Sequence, residues 1–170
     1  MENPVLTCCP FRPEDLDAID FRGVERRLLA GAGDWDAYRS ALANCWRPQT
    51  GWVDGVPVGC AGILGRHGGV GEAWVLLSES LPIDISTGRE ARLWALLTAA
   101  VRQNLRAALD GPFHRIEAHV RVDFPAAVRW IEHIGGFVFE APEIAYGTDR
   151  SDYFRFARIS PSVFQERSAP

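Results

Sequence analysis

The stretch from Ser86 to Arg89 could bind an anion. It directly precedes apolar residues at helical spacing, so it would form the amino-terminal turn of a helix. The first amides of a helix have no partner within it and carry a partial positive charge, which attracts anions. Gly88 has no side chain to keep a phosphate from the backbone, and Arg89 could add a charge-assisted contact.

Thr87 and Glu90 suggest a competing use of the same amides. They have the spacing of a capping box, in which the threonine hydroxyl and the glutamate carboxylate bind amides of the first helical turn. A carboxylate at Glu90 would also repel an anion. The sequence leaves a phosphate-binding turn and a plain helix cap as alternatives.

Glu117 and His119 form a second group that could do chemistry. The apolar residues from Ile116 to Val122 alternate with polar ones, which predicts a strand with one polar face. A carboxylate can hold an imidazole in one tautomer, so the pair could act as a general base. The alternative is a solvated or salt-bridged face.

Composition limits the partners of these residues. The chain has 170 residues, 47% of them apolar, and a net charge of -4, which favours one globular domain and gives no overall positive field for nucleic acid. All 18 basic residues are arginine. The four cysteines lack the spacing of a metal site, and no apolar run is long enough to cross a bilayer. We expect a cytoplasmic domain at 1–160 and a flexible tail at 161–170.

Apolar spacing predicts the elements of the first half of the chain. A strand at Val5–Cys9 should be followed by two helices, the first opening after Arg12 and the second at Trp35–Asn44. Asp54-Gly55 between two apolar runs is a strong hairpin signal, because both turn positions tolerate positive φ. Ala73–Leu77 is apolar throughout, which predicts a central strand buried on both faces.

The second half continues with alternating helices and strands. The longest helix should span Thr87–Asp110, and another should open at Phe124-Pro125 and end at Gly135-Gly136. Two final strands, Phe137–Phe139 and Tyr153–Ile159, should be joined by a loop from Pro142 to Asp152. The period of two predicts that Phe154 and Phe156 face the core and Arg155 faces outward.

This order of elements resembles that of the GNAT superfamily of N-acyltransferases. The fold class implied is α/β (α+β): a mixed sheet of about seven strands with helices on both faces. Within the superfamily the sequence is most similar to GNAT-like proteins of tailed phages and prophages, in the internal virion protein branch. That likeness lies in Gly55–Gly62, Trp74–Ser78, Ser86–Gly88, Val128–Ile131 and Ile134-Gly135.

The resemblance implies acetyl-CoA as the cofactor. Its pantetheine arm would pair with the backbone of the fourth strand at Val75, Leu76 and Leu77, and its pyrophosphate would lie on the amides of Ser86, Thr87, Gly88 and Arg89. The family pattern of Arg or Gln, two residues, Gly, one residue, then Gly or Ala falls on Ile85–Glu90. Of its three fixed positions, only Gly88 is kept.

The resemblance also implies a general base and a general acid. Glu72, near the fourth strand, is the first candidate base, and the Glu117 and His119 pair is the second; the favoured alternative for Glu72 is a solvated residue at a turn. In the family, a Tyr in the last helix acts as the general acid, and an Asn at the start of the same helix contacts the pantetheine. The matching positions in this chain are Ile131 and Phe124, so neither residue is kept. Tyr146 or Tyr153 could replace the missing Tyr if the last loop folds back.

Two functions follow from the resemblance, and a third remains open. One is an acetyltransferase acting on an amine-bearing small molecule or protein. The other is a GNAT-like phage protein that has lost its cofactor site and binds another protein, as a virion accessory or an inhibitor of a host system. The third is a binding domain of another α+β fold. None of these involves nucleic acid or membrane.

Overall fold

A computed structural model describes residues 3–23, 26, 29, 31, 33–82 and 85–163. Within these ranges no helix is both long enough and apolar enough to span a membrane. Most of the tail predicted at 161–170 lies outside the described residues, and the single domain at 1–160 stays a prediction.

The structure is a mixed α/β fold with a seven-stranded sheet. The strands have the order β1-β2-β3-β4-β5-β7-β6, so β4 is central, as predicted. Only the pair β4 and β5 is parallel among the pairs whose register is described. In chain order the elements are β1 (Leu6–Pro10), α1 (Asp15–Ala18), α2 (Trp35–Ala43), β2 (Trp46–Val53), β3 (Val56–His67), β4 (Val70–Leu77), α3 (Gly88–Leu109), β5 (Arg115–Arg121), α4 (Pro125–Ile134), β6 (Val138–Glu143) and β7 (Tyr153–Ile159).

By its contacts the chain divides into two compact units. The first unit comprises Met1–Leu64 and Trp74–Val101, and the second comprises Gly65–Ala73 and Arg102–Pro170. The core of the first unit packs α1 and α2 against β3 and β4 through Leu16, Leu42, Cys60 and Leu76, together with Phe11, Ile19 and Phe21.

The core of the second unit lies between α4 and the apolar faces of β5 and β7. Ile131, Ala118 and Phe156 are its buried centre, and Phe154 packs against them. Arg155, between the two phenylalanines, instead pairs with Glu143. The predicted orientation of this strand is therefore confirmed.

The prediction that β4 is buried on both faces is wrong at Val75. Leu76 is 5% exposed, whereas Val75 is 39% exposed. Adjacent side chains of a strand point to opposite faces, so one strand can have a buried and an open face even when every residue is apolar. The pairing of β4 with β5 joins Val70–Glu72 to Arg115–Glu117, and Val75 lies beyond this stretch.

Ile116 and Ile144 provide a matched test of the core of the second unit. Ile116 is 0% exposed and Ile144 is 76% exposed. We expect Ile116→Ala to lower the free energy of unfolding by about 2–5 kcal/mol, because it removes buried methylene groups and leaves a cavity. Ile144→Ala should change it by less than about 0.5 kcal/mol. Urea unfolding of both variants measures the difference, and equal effects would contradict the assigned burial.

Candidate functional site

The polar face of β5 collects charged side chains in the second unit. Arg115, Glu117, His119 and Arg121 share this face because alternate residues of a strand point the same way. The intervening Ile116 and Ala118 are buried. The strand therefore brings its polar side chains together while its other face joins the core.

His119 is held by a carboxylate that the sequence did not indicate. Its Nδ1 lies 2.6 Å from Oε2 of Glu143 on β6, and the two side chains are 11% and 17% exposed. An ionised carboxylate only accepts hydrogen bonds, so Nδ1 must carry the proton and donate it. In the neutral ring Nε2 is then free of a proton and can accept one. Glu143 also accepts a bond from Nη1 of Arg155 at 3.3 Å.

Tyr146 covers the imidazole of His119. The two rings are nearly parallel at 4°, with centroids 4.6 Å apart, and Tyr146 also meets the edge of Tyr153 at 5.3 Å. Burial raises the pKa of the Tyr146 phenol, and the negative charges of Glu72 and Glu143 raise it further. The loop between β6 and β7 thus folds back and places Tyr146 over the polar face. This is the arrangement in which Tyr146 was expected to replace the missing Tyr of the family as the general acid.

Glu117 is not the partner of His119, which corrects the predicted pair. Arg115 donates from Nε to Glu117 at 2.7 Å and from Nη1 to Glu140 at 2.9 Å. These bonds raise the pKa of Arg115 and lower that of Glu140. Glu117 thus matches the alternative of a salt-bridged face.

Glu72, the candidate base on β4, is also engaged. Arg66 donates from Nε to Oε2 of Glu72 at 2.6 Å, and a second bond joins Nη2 to the same oxygen. The side chain of Glu72 is 19% exposed, and its bonds raise the pKa of Arg66. Glu72 is therefore held as an ion pair. Of the three candidate proton acceptors, Glu72 and Glu117 are each bound by an arginine, whereas His119 is bound by the carboxylate of Glu143.

A bulge in β6 brings Glu143 to the polar face. Phe139 pairs with Phe156 and Ala141 with Arg155, so β6 advances two residues where β7 advances one. The extra residue shifts the alternation of the strand that follows it. Glu143 therefore lies opposite Tyr153 on the face of His119, whereas unbroken alternation from Phe139 would turn it to the apolar face.

Arg121 fixes the loop that carries Tyr146. Its side chain is 6% exposed and forms bonds of 2.8 Å to both oxygens of Asp123 and to Oδ2 of Asp149. These bonds raise the pKa of Arg121 and lower that of Asp149. The amide of Ala145 donates to Oδ1 of Asp152 at 2.8 Å. The loop is thus held at two points: Arg121 binds the carboxylate of Asp149, and the carboxylate of Asp152 binds the amide of Ala145.

In the first unit, the start of α3 is closed by its own carboxylate. Oγ1 of Thr87 accepts a bond from the amide of Glu90 at 3.2 Å, and Oε2 of Glu90 accepts from the amide of Thr87 at 2.8 Å. The same Oε2 accepts from the amide and the hydroxyl of Ser86 at 2.7 and 2.9 Å. These bonds lower the pKa of Glu90. The predicted helix cap is confirmed.

The remaining predicted cofactor residues fit acetyl-CoA in part. A side chain on Gly88 would meet nothing within 4 Å, so the backbone there is open to a phosphate. The exposed side of β4 at Val75 suits a pantetheine arm. Arg89, however, pairs with Asp54 of the β2–β3 turn at 2.5 Å. A diphosphate could therefore bind here only if the carboxylate of Glu90 first released the amides of Ser86 and Thr87.

The fold matches that of known acetyltransferases. Ard1 of Thermoplasma volcanium is similar with a TM-score of 0.66 and 19% identity, over 91% of this chain and 97% of that one. Mutant forms of the spermidine/spermine N-acetyltransferase SpeG of Vibrio cholerae give 0.62 and 16%, over 97% and 100%. A GNAT-family acetyltransferase of Streptococcus pneumoniae gives 0.60 and 15%, over 91% and 99%. The chain therefore has the GNAT fold.

Neither a protein-family model nor a curated protein sequence matches the chain. The likeness to known proteins thus rests on the fold, and the site residues rest on their own geometry.

Three residues of the site, Glu143, Arg121 and Asp149, were not identified from the sequence. Glu143 falls within the predicted loop from Pro142, and only the bulge reveals which way it points. The signal available in the sequence was the pair of acidic residues Asp149 and Asp152, which follow Tyr146 closely in the chain. Such carboxylates could bind Arg121 at the end of β5 and so anchor the loop.

Asp149→Asn should release Tyr146 from His119, because it removes the charge that Nη1 of Arg121 binds. The ring current of Tyr146 shifts the imidazole proton signals of His119, so NMR should show that shift reduced in Asp149→Asn. Tyr146→Leu defines complete loss of the shift, and Asp110→Asn, at an exposed aspartate beyond α3, should leave it unchanged. An Asp149→Asn spectrum like that of the wild type would show that the anchor does not position Tyr146.

Glu90→Ala should free amides at the start of α3 and increase the affinity for acetyl-CoA, at some loss of helix stability. Glu90→Gln can still cap the helix but lacks the charge that repels phosphate, so its affinity should lie between those of Glu90→Ala and the wild type. Gly88→Glu is the opposite change and should abolish binding. Calorimetry gives the three affinities. If neither Glu90 variant binds more tightly, the cap is not what limits binding.

Proposed function

We propose that this protein transfers the acetyl group of acetyl-CoA to an amine, with His119 as the group that takes the proton from that amine. The hydrogen bond of His119 to Glu143 carries the proposal. It fixes the tautomer in which Nε2 can accept a proton, and it lets the carboxylate stabilise the imidazolium that results.

Tyr146 serves this reaction as a proton donor and as a cover. Its phenol carries a proton at neutral pH, as an ordinary tyrosine does, and can donate it to a leaving thiolate; the raised pKa makes it a weaker acid than a free tyrosine. Its ring lies flat on the imidazole and limits the access of water to that face. A half-exposed aromatic face beside carboxylates also suits a cationic amine.

Glu72 and Glu117 contribute charge to the polar face. Each carboxylate is bound by an arginine, Arg66 or Arg115, so neither is poised to accept a proton. The carboxylates of this ion-pair network nevertheless outnumber its arginines: they are those of Glu72, Glu117, Glu140, Glu143, Asp123 and Asp149, against Arg66, Arg115, Arg121 and Arg155. An ammonium group is favoured there over an anion.

The acceptor is an amine of a small molecule or of a protein. The spermidine acetyltransferase SpeG has this fold, and a polyamine is therefore the first small molecule to test. The charges of the polar face favour a cationic amine as the acceptor, but they do not select a particular compound.

Acetyl-CoA would be held by the segments of the first unit. The backbone of Val75, Leu76 and Leu77 would pair with the pantetheine arm, while Ser86, Thr87, Gly88 and Arg89 would take the diphosphate once Glu90 swings away. When bound, the cofactor supplies the acetyl group as a thioester. Activity in the cytoplasm, where this cofactor is available, is part of the proposal.

A second function is favoured by the start of α3. Glu90 occupies amides that a diphosphate needs, and Asp54 occupies Arg89. A GNAT-like phage protein with a closed cofactor segment would act by binding another protein, in the virion or against a host system.

Calorimetry and a turnover assay separate the two functions. We expect heat with acetyl-CoA and a mass increase of one acetyl group on spermidine or on a peptide with a free terminus. His119→Gln can still donate a bond to Glu143 but cannot take a proton, so kcat should fall by about 10²- to 10⁴-fold while the Kd of acetyl-CoA is unchanged. His67→Gln, at an exposed histidine, is the matched control.

The outcomes lead to different conclusions. If the wild type gives no heat with millimolar acetyl-CoA, the enzyme proposal falls and protein binding takes its place. If it turns over and His119→Gln matches the wild type, acetyl transfer stands but His119 is not the base.

A further inference from the structure

Three arginines of the second unit lie together at the carboxyl end of α4. Arg102 donates from Nε to the carbonyl of Ile134 at 2.7 Å, and its Nη2 donates to the carbonyl of His133. Arg106 is one helical turn further along α3, on the same side as Arg102. Arg158 of β7 packs against Gly136, just beyond α4: a side chain on that glycine would lie 2.9 Å from Nε of Arg158.

These three arginines differ from those on the polar face. Arg66, Arg115, Arg121 and Arg155 each pair with at least one carboxylate. In the described ranges no carboxylate oxygen lies within 4.0 Å of Arg102, Arg106 or Arg158. Carbonyls at the end of α4 compensate part of the charge of Arg102, which leaves an excess of positive charge.

Arg158 is the most buried of the three. Its Nη1 is buried and has no hydrogen-bond partner among the residues the structure describes. Its pKa is lowered by burial and then by the positive charges of Arg106 and Arg102. A buried N–H group without an acceptor is unfavourable, and a guanidinium beside two others is more so. An anion would relieve both effects.

We propose that Arg102, Arg106 and Arg158 form a binding site for a phosphate-type dianion. Guanidinium groups bind phosphate oxygens through paired N–H donors, and a phosphomonoester carries about 1.5 to 2 negative charges at pH 7. Arg106 is exposed, so its guanidinium group is accessible to a ligand.

The site is separate from the segment proposed for acetyl-CoA. Arg102 and Arg106 lie in the carboxyl-terminal half of α3, whereas Ser86, Thr87 and Gly88 lie at its start. The inference therefore does not depend on the proposed acetyl transfer.

Thermal unfolding in phosphate tests the site without acetyl-CoA or any activity assay. Inorganic phosphate should raise the Tm of the wild type by a few degrees in a saturable way, and sodium chloride at the same ionic strength should not. Glycerol phosphate in a parallel series shows whether the site also takes a phosphate attached to a larger molecule. Calorimetry with each anion gives the Kd.

Three variants identify the residues. Arg106→Gln and Arg158→Gln should lose the response to phosphate, and Arg129→Gln, at an exposed arginine of α4, should keep it. In low salt without phosphate, Arg106→Gln should melt no lower than the wild type, because it relieves the repulsion of Arg158.

Two results would overturn the proposal. One is an equal rise of Tm in chloride and phosphate, which would indicate screening only. The other is a folded Arg106→Gln protein that responds to phosphate as the wild type does. A response to both phosphate and glycerol phosphate supports a site for phosphomonoesters, and a response to phosphate alone supports a site for the free ion.

Discussion

The alternation of side chains along a strand is the constraint on which the second unit depends. β5 must bury Ile116 and Ala118 while it presents Glu117 and His119 on its other face. The two strands that follow β5 in the sheet, β7 and then β6, have to supply opposite charges to that same face. β7 does so directly with Arg155, and β6 does so only because its bulge changes which residues point there. The pair of His119 and Glu143 is thus a product of sheet register.

The amides at the start of α3 can be used either to cap the helix or to bind an anion. A helix needs its first amides bound, and a capping box binds them with residues of the chain itself. The same amides are those that a diphosphate would use. Glu90 therefore stabilises the helix and, under the proposed function, would compete with acetyl-CoA for these amides. Stability of the free protein and affinity for acetyl-CoA would be linked through this one carboxylate.

Local patterns predicted the elements well, and the site only in part. The order of strands and helices, the helix cap and the faces of β7 depend on neighbours in sequence, so spacing sufficed. Glu143 was missed because its direction depends on pairing between two strands that are separated by a loop. The exposure of Val75 was missed for a related reason: an apolar run does not reveal what packs on each face. Arg102, Arg106 and Arg158 are distant in sequence and gave no motif.

The bulge in β6 has a consequence for the behaviour of this protein at high concentration. β6 lies at an edge of the sheet and exposes Val138 and Phe139, which makes it a potential template for strands of other molecules. The bulge interrupts the regular row of backbone donors and acceptors, and Pro142 has no N–H to offer. The irregularity that turns Glu143 toward His119 therefore also protects the edge against aggregation.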